Sequence, residues 1–178
     1  MASASDYLES FIRAFGVTPL VEPSSKRCGP RLFVKDESQR FGTGSFKSIG
    51  CIYAASKVVS PDCSNLEEAL GEKRSGPQST LVTASDGNHG MALAWSGRKL
   101  GVPVVVYLPR TVSDSRKGAI EELGATVHKT DLGYDLTVEL AAEQARKNGW
   151  ELIQDTAWED YTAVPRLIMD GYSVIAKE

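Results

Sequence analysis

The chain has 178 residues, of which 42% are hydrophobic and 24% charged, and a formal net charge of −3. This is the composition of a single globular unit able to enclose a core. Its mild acidity gives no reason to expect nucleic acid or an anionic membrane surface as partner.

No apolar run approaches the roughly 20 residues that span a bilayer. Asp6, Glu9 and Arg13 interrupt the N-terminal stretch, so no secretory signal is read there. Cys28, Cys51 and Cys63 form neither an even set nor a C-x-x-C pair, which fits a reduced, cytoplasmic setting. His89 and His128 are too few for a His-rich metal site, and no metal is expected.

In chain order, Arg31 to Lys35 reads as a strand. Phe46 to Val59 reads as a helix opening directly after a glycine turn. Pro61 to Gln78 is rich in Pro, Ser, Gly and charge and reads as a surface connection with a helical turn near Leu66 to Leu70. From Thr80 the pattern alternates. Thr80 to Ala84 is a strand, and Asn88 to Leu100 a helix closed by Gly101. Pro103 to Leu108 is a continuous apolar run, as a strand covered on both faces requires. Ser113 caps a helix that ends near Leu123, and Thr126 to Lys129 is a strand. Tyr134 to Asn148 is a helix with Val138, Ala142 and Ala145 on one stripe, closed by Gly149. Glu151 to Gln154 is a strand. Tyr161 to Glu178 has helical character interrupted early by Pro165. Strands alternating with helices of this length predict βαβ units: an α/β fold of three layers, with a parallel sheet between flanking helices.

Two stretches carry chemistry. Gly42-Thr43-Gly44-Ser45-Phe46-Lys47 places a lysine at a tight turn before a helix. A lone lysine is ordinarily a surface cation. A phosphate-binding P-loop is disfavoured because Phe46 stands where glycine must precede the lysine. Ser85-Asp86-Gly87-Asn88-His89-Gly90 follows a strand and opens a helix, so its N–H groups can hold an anion such as a carboxylate. A plain helix cap with turn glycines explains the same residues. His89 reads as a packed or hydrogen-bonded residue and His128 as strand decoration. Trp158 and Tyr161 suit core or pocket equally.

Together these stretches resemble the fold-type II pyridoxal-phosphate enzymes, the tryptophan synthase β-like family. Lys35-Asp-Glu-Ser-Gln-Arg-Phe-Gly42, Asp86-Gly-Asn-His-Gly90, Gly124-Ala125 and Gln154-Asp-Thr-Ala-Trp-Glu-Asp-Tyr161 are most similar to its diaminopropionate ammonia-lyase branch. The resemblance runs from about Pro19 to the last residue and covers the N-terminal half of the family pattern. The chain is therefore expected to be a truncated form, without the glycine-rich loop that cups the cofactor phosphate. Residues 1–79 would belong to the larger cofactor domain, 80–160 would form a small open βα domain, and 161–178 would begin the return to the larger one.

The resemblance implies roles. Lys47 would bind pyridoxal 5'-phosphate as a Schiff base and move protons at Cα. Asn88 would bond the cofactor's phenolic oxygen. Ser85, Gly87 and the backbone near Asn88 would take the carboxylate of a small amino-acid substrate. Asp86 stands where related serine and threonine dehydratases carry a small or neutral residue. It would bind a β-ammonium or act as a second base, opposite Lys47, so that both enantiomers react. Asp155 is a further candidate for the amino group, although a helix cap after a strand would also explain it. The implied reaction is elimination of 2,3-diaminopropionate to pyruvate and ammonia, by a homodimer in the full-length family form. A catalytically inactive remnant and a serine/threonine dehydratase-like enzyme are the alternatives.

Overall fold

The computed structural model describes residues 3–23, 31–72 and 79–178. Cys28 and the end of the expected surface connection lie outside them. At the centre is a sheet of four parallel strands: β3 (Leu81–Ala84), β4 (Val104–Leu108), β5 (Thr126–Lys129) and β6 (Glu151–Leu152). Their spatial order is β5-β4-β3-β6. Helices α4 (Asn88–Leu100) and α5 (Asp114–Glu122) join β3 to β4 and β4 to β5. Helix α6 (Tyr134–Asn148) then carries the chain back across the whole sheet to β6.

The strand side chains alternate as the pleat requires. Leu81, Val104, Val106 and Leu108 join the core shared with α4, whereas Val82, Ala84, Val105 and Tyr107 pack with Ala141 and Ala145 of α6. Helices therefore cover both faces, and the three-layer α/β expectation holds. The direction of winding reverses between β3 and β6, which opens a crevice at their carboxyl ends.

The larger core continues through α1 (Ala4–Phe15), α2 (Lys47–Val59), α3 (Leu66–Gly71) and α7 (Ala163–Tyr172). Helix α1 was not anticipated. A capping box starts it, with Ser3 and Asp6 bonded reciprocally, and it buries Tyr7, Leu8, Phe11 and Ile12 on one stripe. Near Leu66 the expected turn is a full helix capped by Asn65, and it buries Leu66 and Ala69. The predicted stripe of α6 is rotated. Thr137, Ala141 and Ala145 face the sheet, and Ala142 lines an outer groove. Pro165 does not interrupt α7, because it sits in the first turn, where the N–H has no intrahelical partner anyway. Helices α2 and α7 touch backbone to backbone: a Cβ on Gly171 would lie 2.8 Å from Gly50 Cα, and one on Gly50 would lie 2.8 Å from the Ile168 carbonyl.

The predicted strand Arg31–Lys35 is reduced to β2 (Val34–Lys35), which pairs antiparallel with β1 (Leu20–Val21), outside the parallel sheet. Behind it, Glu37–Gly42 forms a kinked 3-10 turn that buries Arg40 and Phe41. Phe41 stacks on Trp95 of α4 with rings 5.2 Å apart and 7° from parallel. The Arg40 side chain is fully buried. It donates to Glu37 at 2.7 Å, to Glu178 at 2.7 and 2.8 Å, and to Thr18 at 3.0 Å. Lys35 Nζ reaches Glu178 at 2.9 Å and the Thr18 carbonyl at 2.7 Å. Burial opposes the Arg40 charge, but the bonds to Glu37 and Glu178 more than offset it and raise its pKa. Burial likewise raises Glu178, yet Arg40 and Lys35 bring it below the usual carboxylate range. None of the described helices is long and apolar enough to cross a membrane.

Arg40→Met takes the buried cation from two largely buried carboxylates, leaving Glu178 with Lys35 and Glu37 with Thr18, and should destabilise the fold by about 3 kcal/mol, read from the urea unfolding midpoint. Because the folded pKa of Glu178 lies below its ordinary 4.5, its contribution is present above that pH and lost as pH falls through the folded value. Glu178→Gln should therefore lower stability at neutral pH and flatten the acid limb of a melting-temperature profile.

Candidate functional site

The site forms at the winding reversal. Past Ile153, whose N–H still donates to the Val82 carbonyl at 2.8 Å, the backbone of the β6 segment leaves β3. The Gln154 side chain takes over, its Oε1 accepting from Ala84 N at 3.0 Å and from Thr83 Oγ1 at 2.9 Å. This is why β6 ends at Leu152 rather than at Gln154. Tyr161 secures the departing chain, since its hydroxyl accepts from Gln154 N at 2.9 Å and donates to the Leu152 carbonyl at 2.6 Å. The next residue, Asp155, then enters the crevice.

Lys47 reaches it from the other side. Gly42 and Gly44 adopt positive φ values of 73° and 72°, as the tight turn requires. Thr43 and Ser48 share a short hydroxyl contact across it. Lys47 is the first residue of α2, its N–H donating to Ser45 Oγ at 3.2 Å. Its Nζ lies 2.6 Å from Asp155 Oδ2.

A cavity of about 300 Å³ surrounds this pair. Its walls are Lys47, Ser85, Asp86, Asn88, His89, Arg116, Tyr134 and Asp155. Five of the six expected site residues thus meet there. Gly87 lines an adjoining cavity of about 210 Å³ with Thr43, Asn88, Met91, Arg116 and Ile120. Its N–H, expected to face a carboxylate, donates to Ser85 Oγ at 3.0 Å, and Gly90 N donates to the same atom at 2.8 Å. Arg116, on α5, and Tyr134, which opens α6, were missed. Neither belongs to a motif, and only the sheet's topology brings both helix starts to this edge.

His89 is packed, as expected, yet it also touches the site. Its Nε2 lies 2.7 Å from the Ile153 carbonyl and donates to it. Nδ1 then accepts from the buried Cys51 thiol at 3.3 Å and lies 3.6 Å from Asp155 Oδ2. Burial pushes the His89 pKa down more than Asp155 and Ile153 pull it up, so the ring is neutral at neutral pH. Burial also pushes the Cys51 thiol up, and Asp155 adds to this. Asp155 feels the same burial, but His89 and the Lys47 hydrogen bond bring its pKa below the ordinary value, leaving a carboxylate. His128 is exposed on β5 and stacks on Tyr107. Trp158 and Tyr161 stack with ring centroids 4.3 Å apart, on the wall of a groove of about 1070 Å³ beside α6.

Residues 12–178 match the profile of a family described as pyridoxal-phosphate dependent enzymes. The chain belongs to that family. Diaminopropionate ammonia-lyase of Escherichia coli strain K12 is 41% identical over 157 residues, 83% of this chain and 38% of that protein. A serine dehydratase-like protein of Mus musculus is 31% identical over 161 residues, 87% of this chain and 44% of its own length. The solved holo diaminopropionate ammonia-lyase of Escherichia coli superposes with a TM-score of 0.88 at 35% identity, over 98% of this chain and 46% of that one. The chain spans less than half the length of these relatives.

Membership gives the fold-type II architecture and names the family's cofactor, and the residues present suit that cofactor. An amine for its aldehyde, an amide for its ring oxygen and carboxylates for a bound amino group line one cavity. The volume lies at the lower end of the roughly 300–1,000 Å³ usual for small-molecule sites.

With a folded pKa below 6.5, His89 favours the fold most above that pH. The advantage is lost progressively as pH falls from 6.5 to the lowered value, because the unfolded state takes up the proton first. Urea midpoints at pH 8 and pH 5.5 should differ less for His89→Gln than for the unaltered chain.

Proposed function

We propose that this chain supplies the lysine-bearing part of a site for α,β-elimination of 2,3-diaminopropionate, with pyridoxal 5'-phosphate held at Lys47. In this reading residues 80–160 are the smaller domain, and 1–79 and 161–178 belong to a larger body. The supporting observation is the 2.6 Å contact of Lys47 with Asp155 in a cavity that Asp86 also lines. Asp155 engages the lysine, and Asp86 remains for a substrate that carries a second amino group.

Lys47 would hold the cofactor through its amine and would take the proton from the substrate's Cα. Asn88 orients the cofactor through its side-chain amide. Bound there, the cofactor supplies an electron sink for the charge left at Cα. Asp155 holds the Lys47 amine toward the cavity. Asp86 would attract the β-ammonium and serve as the second proton acceptor. The β-amino group leaves with a proton, and one water completes the balance: 2,3-diaminopropionate and water give pyruvate and two ammonia.

Incubating the chain with pyridoxal phosphate and each enantiomer of 2,3-diaminopropionate should release pyruvate. Lys47→Ala should remove it, and Asp86→Asn should lower kcat for one enantiomer by about 10²–10⁴-fold while sparing the other. Pyruvate no higher than the Lys47→Ala control, together with no visible absorbance on cofactor titration, would falsify the reading. The likeness to the serine dehydratase-like protein supports a second one, elimination of a β-hydroxyl from serine. A kcat/KM for serine above that for diaminopropionate would select it.

A further inference from the structure

We infer that Arg116 is a specificity-determining residue that clamps the substrate carboxylate at the mouth of the cavity. The inference rests on the amino-acid-processing reading above and extends it to a residue outside every motif. Arg116 lies in the first turn of α5, where Ser113 caps the helix, and α5 begins beyond the carboxyl end of β4. Its guanidinium lies across Gly87. Nη1 would come within 2.1 Å of a Cβ on that residue, so any side chain at position 87 would push the arginine tip from this placement. The one hydrogen bond Arg116 makes through its side chain among the described residues is long, 3.5 Å from Nη1 to the Asp86 carbonyl. It has no carboxylate partner among them, although it lines both the Lys47 cavity and the adjoining one. A guanidinium offers five donors in a fork that matches an oxyanion, and here the fork stands open.

The groups beside it suit the same ligand. Ser85 is almost wholly buried, and its Oγ accepts from both Gly87 N and Gly90 N. Both lone pairs are filled, so the hydroxyl proton remains for an acceptor in the cavity. The N–H groups of Asn88 and His89 open α4 and have no acceptor among the described residues. Arg116 completes this set with a full positive charge. Asp86 lines the same cavity and supplies a carboxylate for an ammonium group, while Asp155 is engaged by Lys47. An α-amino acid with a second amino group is thereby oriented end to end, its carboxylate between Ser85 and Arg116.

The oxyanion could also be a phosphate, and the test separates the two. Isothermal titration calorimetry on the full chain without cofactor compares 2,3-diaminopropionate with its carboxamide and with inorganic phosphate. The unaltered chain should prefer the acid to the amide by roughly 10-fold or more. Arg116→Ala should abolish that preference, and Arg116→Lys should keep part of it, with unchanged circular dichroism for both. In the cofactor-loaded enzyme Arg116→Ala should raise KM and leave kcat nearly unaltered. Three results overturn the inference: no preference for the acid in the unaltered chain, the same preference in Arg116→Ala, or loss of phosphate binding alone. Failure of the elimination reading shows separately, as absent pyruvate.

Discussion

The contact between Lys47 Nζ and Asp155 Oδ2 joins residues 108 positions apart, and the rest of the architecture sets its two ends. One end depends on a turn. Residues 36–44 are pinned by Asp36 capping, by the buried Arg40 and by Phe41 stacked on Trp95, so that α2 starts with its first side chain over the crevice. The other end depends on topology. Had β6 continued alongside β3, Asp155 would have been one more strand residue. Gln154 ends the pairing by giving its side chain where backbone would have gone, and the chain turns into the cleft. Both ends must be right to within a few tenths of an ångström for a hydrogen bond to form.

The buried polar groups behind this contact are largely satisfied, and the exceptions are few. Arg40 would be prohibitive to bury alone, but two glutamates and a threonine take up its donors. His89 spends its Nε2 proton on a backbone carbonyl and receives the Cys51 thiol at Nδ1, which leaves it uncharged beside Asp155. A neutral imidazole there matters, because a protonated one would compete with Lys47 for the same carboxylate oxygen. Against this background the open donors of Arg116 and the unaccepted Ser85 proton stand out, and both border the cavity.

Much of this was legible in the sequence, for local reasons. The alternation from Leu81 to Asn148 carries its own punctuation: Ser113 as a cap, and Gly101 and Gly149 in left-handed conformation at helix ends. Lys47 and the Ser85–Gly90 loop were legible because turn, glycine and strand-to-helix switch lie within a few residues of each other. What was not legible depends on distant partners. Arg40 looks like any surface arginine until Glu178 arrives from 138 residues away. Val34–Lys35 pairs antiparallel with a two-residue strand too short to have a pattern. Arg116 sits on a polar, weakly amphipathic helix whose start becomes part of the site only once β4 and β3 lie side by side. The rotated stripe of α6 has the same origin, since the return crossover decides which side of the helix meets the sheet.

The charges around the crevice also bear on the choice between the two eliminations. A hydroxyl leaving group needs a proton donor near the β-carbon but no counter-charge. An ammonium is favoured by a nearby carboxylate. The cavity is lined by two carboxylates: Asp155, largely buried and engaged by Lys47, and Asp86, exposed at the wall and without a salt-bridge partner among the described residues. With a β-ammonium bound, Asp86 gains a counterpart, while Lys47 stays paired with Asp155 and Arg116 is left to meet the carboxylate. With serine bound, Asp86 faces a neutral hydroxyl and gains no ionic partner. Sites that pair a polar group with one substrate discriminate most strongly against analogues that leave it unpaired. On that ground the presence of a carboxylate at position 86, more than the general likeness of the fold, favours the diamine.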